Sequence, residues 1–230
     1  MTETALIVGA GPGLSSSLTY LLLKNKFKVA IAARNVAKLA TLAETSNVDV
    51  FTCDASNINQ VQTLFKKLDK TLGTPDLVIY NPSARVRGEI VEVDPEDTQK
   101  AINITCFGAF LVAQEAAKRM VKRGSGSIFF TGASASVKGY ANSSVFAMGK
   151  FGLRGLAQAL ARELHPQNIH IGHFIIDGGI KADHRPERND PGDDSMLDPE
   201  AIANTYLQFH RQNRSSWSWE IELRPWLETF

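Results

Sequence analysis

Short apolar runs alternate with longer amphipathic stretches along nearly the whole chain, and this rhythm narrows the possible folds more than any other feature. ALIVG, FKVAIAAR, VDVFTCD, DLVIYN, GSIFFTG and IHIGHFIID each read as a strand: they are short, apolar and bounded by turn-forming residues. LSSSLTYLLLKN, NVAKLATLAE and INQVQTLFKKLDKTLG separate the first four and carry apolar residues at helical spacing. The same spacing predicts a long helical stretch from about Pro95 to Arg123, a helix from about Asn142 to His165 and a last one from about Pro199 to Asn213. SWEIELRP then reads as a final edge strand, which needs a partner or a cover. Strands alternating with helices build right-handed βαβ units. The expectation is therefore an α/β chain folded as a Rossmann-type doubly wound parallel sheet of about seven strands. The strands are apolar nearly throughout, so helices should cover both faces. No Pro/Gly/Ser-rich linker divides residues 1–230, which predicts a single domain.

Composition excludes several functions. A formal net charge of +1 gives no global field for nucleic acid or an anionic membrane surface. No apolar run reaches the roughly 18 residues that cross a bilayer. The N-terminus enters a strand almost at once, without a basic region or a long apolar one, so no signal peptide is expected. Two cysteines, Cys53 and Cys106, make neither a disulfide framework nor a metal spacing, and a cytoplasmic setting follows. His173 lies in an apolar strand and reads as a satisfied core residue; His184 reads as a solvated one, and no metal site is expected. KADHRPERNDPGDD has no apolar period, so residues 181–198 are expected to form a mobile substrate lid.

VGAGPGLS falls between the first strand and the first helix. Gly9, Gly11 and Gly13 permit backbone angles that other residues resist. They also let a pyrophosphate approach the helix N-terminus, where free N–H groups and the helix dipole favour anions. Pro12 gives up one donor and stiffens the loop. The position, after a strand and opening a helix, is the context that dinucleotide binding requires. Chains that bind NAD usually place an acid at the end of the second strand for the ribose hydroxyls. Here the strand ends in Ala33 and Arg34, and an arginine suits a 2′-phosphate. NADP(H) is therefore the expected cofactor, with NAD(H) second. Asp54, after the third strand, suits either the adenine amino group or a helix N-cap.

Taken together these stretches resemble the short-chain dehydrogenase/reductase family from VGAGPGLS through IDGGI. The family's TGxxxGxG is matched by Val8 to Ser15, with Ser15 in the place of the last glycine. Its NNAG is matched by Tyr80 to Ser83, of which Asn81 survives. Asn103 matches the helix asparagine that links the lysine to a water relay, and Lys150 matches the lysine of YxxxK. Asp177-Gly178 stands for the PG motif. Ile180 falls where a backbone amide usually meets the nicotinamide carboxamide. The resemblance also extends the cofactor set to Leu14, Ala55 and Pro82, and implies an oxidoreductase acting on a small carbonyl or alcohol substrate.

Two departures bear on the chemistry. The tyrosine position is Phe146, and the serine position, thirteen residues earlier, is Ala133; Ser134 is one residue further on. In the family the tyrosine moves the proton, the lysine lowers its pKa and the serine orients the oxygen. Losing a positioned general acid costs about 10²–10⁴ in rate. A lost oxyanion donor costs about 10²–10³ more where the effects are independent, which such groups rarely are. Three readings of Phe146 remain open. The chain is a reductase that takes its proton from water or from Ser134, Tyr140 or Lys150; or it is a catalytically inactive NADP-binding sensor or assembly protein; or Phe146 is a core aromatic and the active site lies elsewhere in the cleft. Tyr140, six residues before Phe146, cannot share its helix position. The family gives Lys150 a second task on the nicotinamide ribose, which survives without the tyrosine.

Gly149, Gly152 and Gly155 recur every three residues, each costing about 1 kcal/mol of helix propensity relative to alanine. Such a stripe marks a close backbone approach. In the family this helix and the long one before it pack across a dimer interface, which implies a homodimer or homotetramer; packing within the chain explains the stripe equally well.

Overall fold

A computed structural model describes residues 2–45, 47–182 and 194–228. Seven strands form one sheet: β1 (Thr4–Val8), β2 (Lys28–Ala33), β3 (Val48–Thr52), β4 (Leu77–Tyr80), β5 (Gly126–Thr131), β6 (Ile169–Ile176) and β7 (Glu220–Leu223). Their order is β3-β2-β1-β4-β5-β6-β7, and every neighbouring pair is parallel. The helices are α1 (Leu14–Lys24), α2 (Ala40–Thr45), α3 (Ile58–Thr71), α4 (Pro95–Ile102), α5 (Gly108–Arg123), α6 (Ser144–Leu164) and α7 (Pro199–His210). The expected doubly wound fold is what forms, and SWEIELRP contributes its edge strand β7.

The apolar strands are explained by cover on both sides. Successive residues point to opposite faces. Leu6, Val8, Val78, Tyr80, Ile128 and Phe130 pack on α3, α5 and α6. Ala5, Ile7, Ile79, Phe129 and Phe174 pack on α1 and α7. Helix α3 shows how sequence becomes position: Val61, Leu64, Phe65 and Leu68 form one buried stripe, and each such side chain contributes about 1.5–3 kcal/mol. Its start is fixed by Asn57, whose side chain accepts from the Gln60 amide at 3.0 Å. Helices α4 and α7 begin alike, with a capping aspartate, Asp94 or Asp198, followed by proline at the first helical position.

Helix limits differ from the expected ones for local reasons. Helix α6 starts at Ser144 rather than Asn142, because Asn142 is left-handed, with φ of +57°. Helix α7 ends at His210, and the Asn213 side chain instead caps a 3₁₀ turn by accepting from Ser215 N–H at 2.9 Å. The predicted Pro95–Arg123 helix is continuous but widens to a π segment over Asn103–Phe107, where the Gly108 amide reaches back to the Asn103 carbonyl. The Tyr80 hydroxyl, from the end of β4, donates to the Ile104 carbonyl in that segment. A side chain at Gly108 would meet this hydroxyl at 2.5 Å, so only glycine lets the two elements touch.

The glycine stripe on α6 is largely used inside the chain. A Cβ at Gly149 would lie 3.1 Å from Thr105, and one at Gly152 2.8 Å from the Cys106 sulfur, whereas Gly155 faces open space. The stripe therefore lets α6 close on the π segment, and two of its three glycines give no support to an interface with another subunit. His173 is a satisfied core residue: its Nδ1 lies 2.9 Å from Glu220 and its Nε2 3.3 Å from Ser136 Oγ, which accepts from the Ala133 amide. Burial first of all lowers its pKa to about 4, so the ring is neutral. His184 and most of the expected lid lie outside the described residues; of the flanks, Ile180 bridges to Leu197. No helix among the described residues is long and apolar enough to cross a membrane.

Candidate active site

The strand order reverses between β1 and β4, and ligands of open α/β sheets sit in the crevice that such a reversal leaves at the carboxyl ends of the strands. A cavity of about 630 Å³ lies there. Of the residues singled out in the sequence, Gly9, Gly11, Pro12, Arg34, Asp54, Ala55, Asn81 and Pro82 line it. Gly13 lines a neighbouring cavity of about 580 Å³, between the start of α1 and residues Lys181, Asp198 and Glu200. Leu14 is buried beneath the loop in the core on the α1 side.

The glycines of the first turn have separate reasons to be there. Gly9 has φ of +80°, and a side chain on it would strike the Pro82 ring at 2.7 Å. Gly11 has nothing within 4 Å of a built Cβ, so its face is open to a ligand. Gly13 has φ of +95° and supplies no side-chain cap to α1. Ser15, standing in the last glycine's place, ties the turn down: its hydroxyl donates to the Gly9 carbonyl and accepts from the Asn81 amide at 2.8 Å. The result is a preformed loop at an uncapped helix N-terminus, a setting suited to a pyrophosphate.

At the far end of the cavity stand two cations. Arg34 follows β2, and Lys38 lines the same wall. The Asn35 side chain accepts from the Ala37 amide at 3.0 Å and starts the short 3₁₀ turn Val36–Leu39, which carries Lys38 to the lining of the same cavity. Lys38 was not anticipated, although its spacing of four residues from Arg34 was a usable signal. Asp54 does not cap α3; that role falls to Asn57. Its carboxylate instead accepts from the Ser56 amide (2.9 Å) and hydroxyl (2.7 Å), a tight local turn that holds it at the cavity wall. Burial, then the charge of Asp54, push the Cys53 thiol up to about 11, which leaves it unreactive.

At the ends of β5 and α6 lie the residues matched to catalysis. Lys150 is 2% exposed, and its Nζ donates to the Thr131 carbonyl at 2.6 Å. Burial, then the nearby charge of Arg85, lower its pKa to about 7. Ala133 and Phe146 are both buried and pack together with Ala135 as a small apolar cluster. The two missing hydroxyls therefore belong to one spot. Arg85, which nothing in the sequence singled out, lays its guanidinium over the Phe146 ring, with Cζ 4.2 Å from the centroid; Lys150 Nζ is 5.9 Å from the same point. Ser134 is half-buried and opens a 3₁₀ turn whose next amides bond to its carbonyl. Tyr140 is 47% exposed on the following loop, outside the cluster. Asn103 is half-buried and closes the π turn through its carbonyl; its neighbour Ile104 lines the cavity. Gly178 has φ of +147° and sits against Pro225, and the preceding Asp177 is buried between Arg224 (2.7 Å) and Lys138 (3.2 Å).

The family model described as short chain dehydrogenase matches residues 3–192. The chain is 25% identical over 214 residues to carbonyl reductase family member 4 of Xenopus laevis, covering 90% of each. It is 32% identical to a short-chain dehydrogenase of Rhodopseudomonas palustris of known structure, with a TM-score of 0.84 over 97% of this chain and 99% of that one. An alcohol dehydrogenase of Thermococcus sibiricus complexed with 5-hydroxy-NADP shares the fold at 19% identity, with a TM-score of 0.87 over 100% and 99% of the two chains. The cleft at the strand reversal, the glycine turn and the lysine of α6 accordingly have a common explanation: the chain belongs to the short-chain dehydrogenase/reductase family of oxidoreductases.

Proposed function

We propose that the chain is an NADP(H)-dependent oxidoreductase acting on a carbonyl/alcohol pair, with Lys150 moving the proton that a tyrosine moves elsewhere in the family. The observation that carries this is Lys150 itself: a buried ammonium, at the end of β5, with a pKa near 7. A group poised near the working pH is a competent proton donor and acceptor. Ser134 has no such tuning, and Tyr140 stands outside the cluster.

The cleft fits the cofactor. Gly11 leaves room for a pyrophosphate, α1 offers uncapped amides, and Arg34 with Lys38 supply two cations for a 2′-phosphate. When bound, the reduced nicotinamide supplies a hydride. The substrate's carbonyl carbon accepts it, and the electron pair of the C=O bond moves to oxygen. Lys150 gives that oxygen its ammonium proton and, being buried, regains one through the water relay to which Asn103 links it. In the alcohol direction each transfer runs backwards. Asn103, Gly178 and Ile180 are assigned to holding the nicotinamide end and its lysine.

A second reading, an NADP-binding sensor or assembly protein without catalysis, is favoured by the apolar cluster of Ala133, Ala135 and Phe146, in which the hydroxyls of the matched serine and tyrosine positions are missing. A panel of aldehydes and ketones with NADPH separates the two. Turnover by the unaltered chain that falls at least 10-fold in Lys150→Met supports the first reading. Turnover only after Ala133→Ser/Phe146→Tyr supports the second. We place the protein in the cytoplasm, where Cys53 and Cys106 remain thiols. We also expect it to self-associate as a homodimer or homotetramer through the exposed aromatic face of Phe107, Phe110 and Phe151, where the first two rings stack at 6.1 Å.

A further inference from the structure

We propose that Glu220, His173 and Ser136 form a positioning relay through which the edge strand β7 holds the catalytic lysine in place; this rests on the oxidoreductase reading above. The residues are far apart in sequence, yet their contacts close a ring that begins and ends at Lys150. Lys150 Nζ donates to the Thr131 carbonyl at 2.6 Å. Thr131 leads through Gly132 to Ala133, whose amide donates to Ser136 Oγ at 3.2 Å. Ser136 Oγ lies 3.3 Å from His173 Nε2, and His173 Nδ1 lies 2.9 Å from Glu220 Oε2. Arg154 donates to both oxygens of Glu220, at 2.7 and 2.8 Å. It stands one turn beyond Lys150 on α6, which closes the ring.

The chemistry fixes the direction of every bond. Burial alone would raise the Glu220 pKa, but hydrogen bonds from Arg154 and His173 outweigh it and keep the carboxyl below its ordinary range, so it is ionised and only accepts. His173 Nδ1 must therefore carry the proton and donate it. Burial keeps the ring neutral, which leaves Nε2 as the acceptor for the Ser136 hydroxyl. The Ser136 oxygen keeps a lone pair for the Ala133 amide. Ser136 and His173 are fully buried, so water does not compete for these bonds. Packing reinforces them: a side chain at Gly132 would lie 2.4 Å from His173 Nε2, so the ring sits directly against the backbone that follows the lysine's acceptor. A buried polar chain of this kind adds little net stability over apolar packing of the same volume. Its use lies in what it orients, the Thr131 carbonyl and through it a long side chain that is otherwise rich in rotamers. Ser136 is accordingly a positioning residue rather than a catalytic one, because its hydroxyl is committed to His173 and Ala133.

The test compares the parent with Ser136→Ala, Glu220→Gln and the double variant, as whole chains with NADPH. Turnover is measured on the panel of aldehydes and ketones. The Lys150 side-chain signal is followed by NMR in protein carrying isotope-labelled lysine, and is assigned by its loss in Lys150→Met. Ser136→Ala should lower kcat about 10- to 100-fold while KM and NADPH affinity stay within about threefold, the mark of a displaced group rather than a damaged fold. Glu220→Gln keeps an acceptor for His173 but loses the charge, and should lower kcat less. The double variant should be no worse than Ser136→Ala, because both changes break one chain, whereas independent damage multiplies. In each variant the Lys150 signal should leave its position in the parent and move towards those of the exposed lysines. Where Ser136→Ala does not fold, Glu220→Gln decides by the same two readouts. An unchanged kcat, an unmoved Lys150 signal or effects that multiply in the double variant overturn the inference. If the parent turns over no carbonyl compound, the reductase reading falls and the relay is judged on the Lys150 signal: movement upholds it, and a fixed signal removes it.

Discussion

Burying Lys150 has a thermodynamic consequence that does not depend on substrate or cofactor. Its pKa falls from an ordinary 10.5 in the unfolded chain to about 7 in the folded one. Between those values the unfolded state binds the proton and the folded state does not, so stability must rise with pH across that window. Below pH 7 both states are protonated and the full burial penalty is present, about 5 kcal/mol for a shift of this size. From pH 7 to pH 9 the lysine alone should add about 2 kcal/mol of stability. Other groups titrate as well, so the measurement is a difference. Urea unfolding of the parent and of Lys150→Met, at pH 7, 8 and 9, gives two curves, and the gap between them isolates this lysine. Methionine fills similar space without a charge. Relative to the parent, Lys150→Met should be most favoured at pH 7 and lose about 2 kcal/mol of that advantage by pH 9. A gap that stays constant across the range refutes both the low pKa and the proton donor built on it.

Other expectations concern separate parts of the molecule. Arg34→Ala and Lys38→Ala should each weaken NADPH binding about 10-fold or more in a fluorescence titration while changing NADH binding far less, and an unaltered chain that prefers NADH sinks the 2′-phosphate assignment. Gly132→Ala should destabilise by about 2–3 kcal/mol in urea, since its Cβ would come within 2.4 Å of His173 Nε2 and 2.8 Å of the Phe174 carbonyl. Glu220→Gln, which weakens the hold on both His173 and Arg154, should cost about 1–3 kcal/mol and leave the fold intact by circular dichroism. Phe151→Asp should shift sedimentation towards the monomer; an unchanged profile removes the aromatic face from consideration as an interface.

What the sequence disclosed was local. Periodicity and turn residues marked each strand, and the glycine turn, Arg34 and Lys150 could be placed because each sits at a fixed offset from an element that is recognisable by itself. Contacts between distant segments left no such trace. Arg85 reaches Phe146 across the fold, and its flanks, SARVRG, read as an ordinary loop. Gly9 looked like a phosphate glycine, yet Pro82 is what excludes a side chain there. Asp54 was a plausible cap from the sequence, yet Asn57 caps α3, because its side chain is the one that meets a free amide of the helix. The α6 stripe announced a close approach without saying to what, and Thr105 and Cys106 supplied the answer for two of its glycines.

The π segment sets the angular phase of a long helix. Ala101, Thr105 and Ala109 are all buried, with eight steps along the chain from first to last. Eight steps of regular α-helix turn through about 800°, some 80° beyond two full turns, so in a regular helix this line would drift across most of the width of a buried face. Widening at Asn103–Phe107 absorbs that excess, so α4 and α5 can both face inward while the Ile104 carbonyl meets Tyr80. The segment therefore behaves as a gear between the active-site end of the helix and its sheet-packing end. A deletion of one residue here would leave about 700° of regular α-helix between Ala101 and Ala109, close to two full turns, so α5 would keep facing the sheet while the widening that brings the Ile104 carbonyl to Tyr80 would be lost.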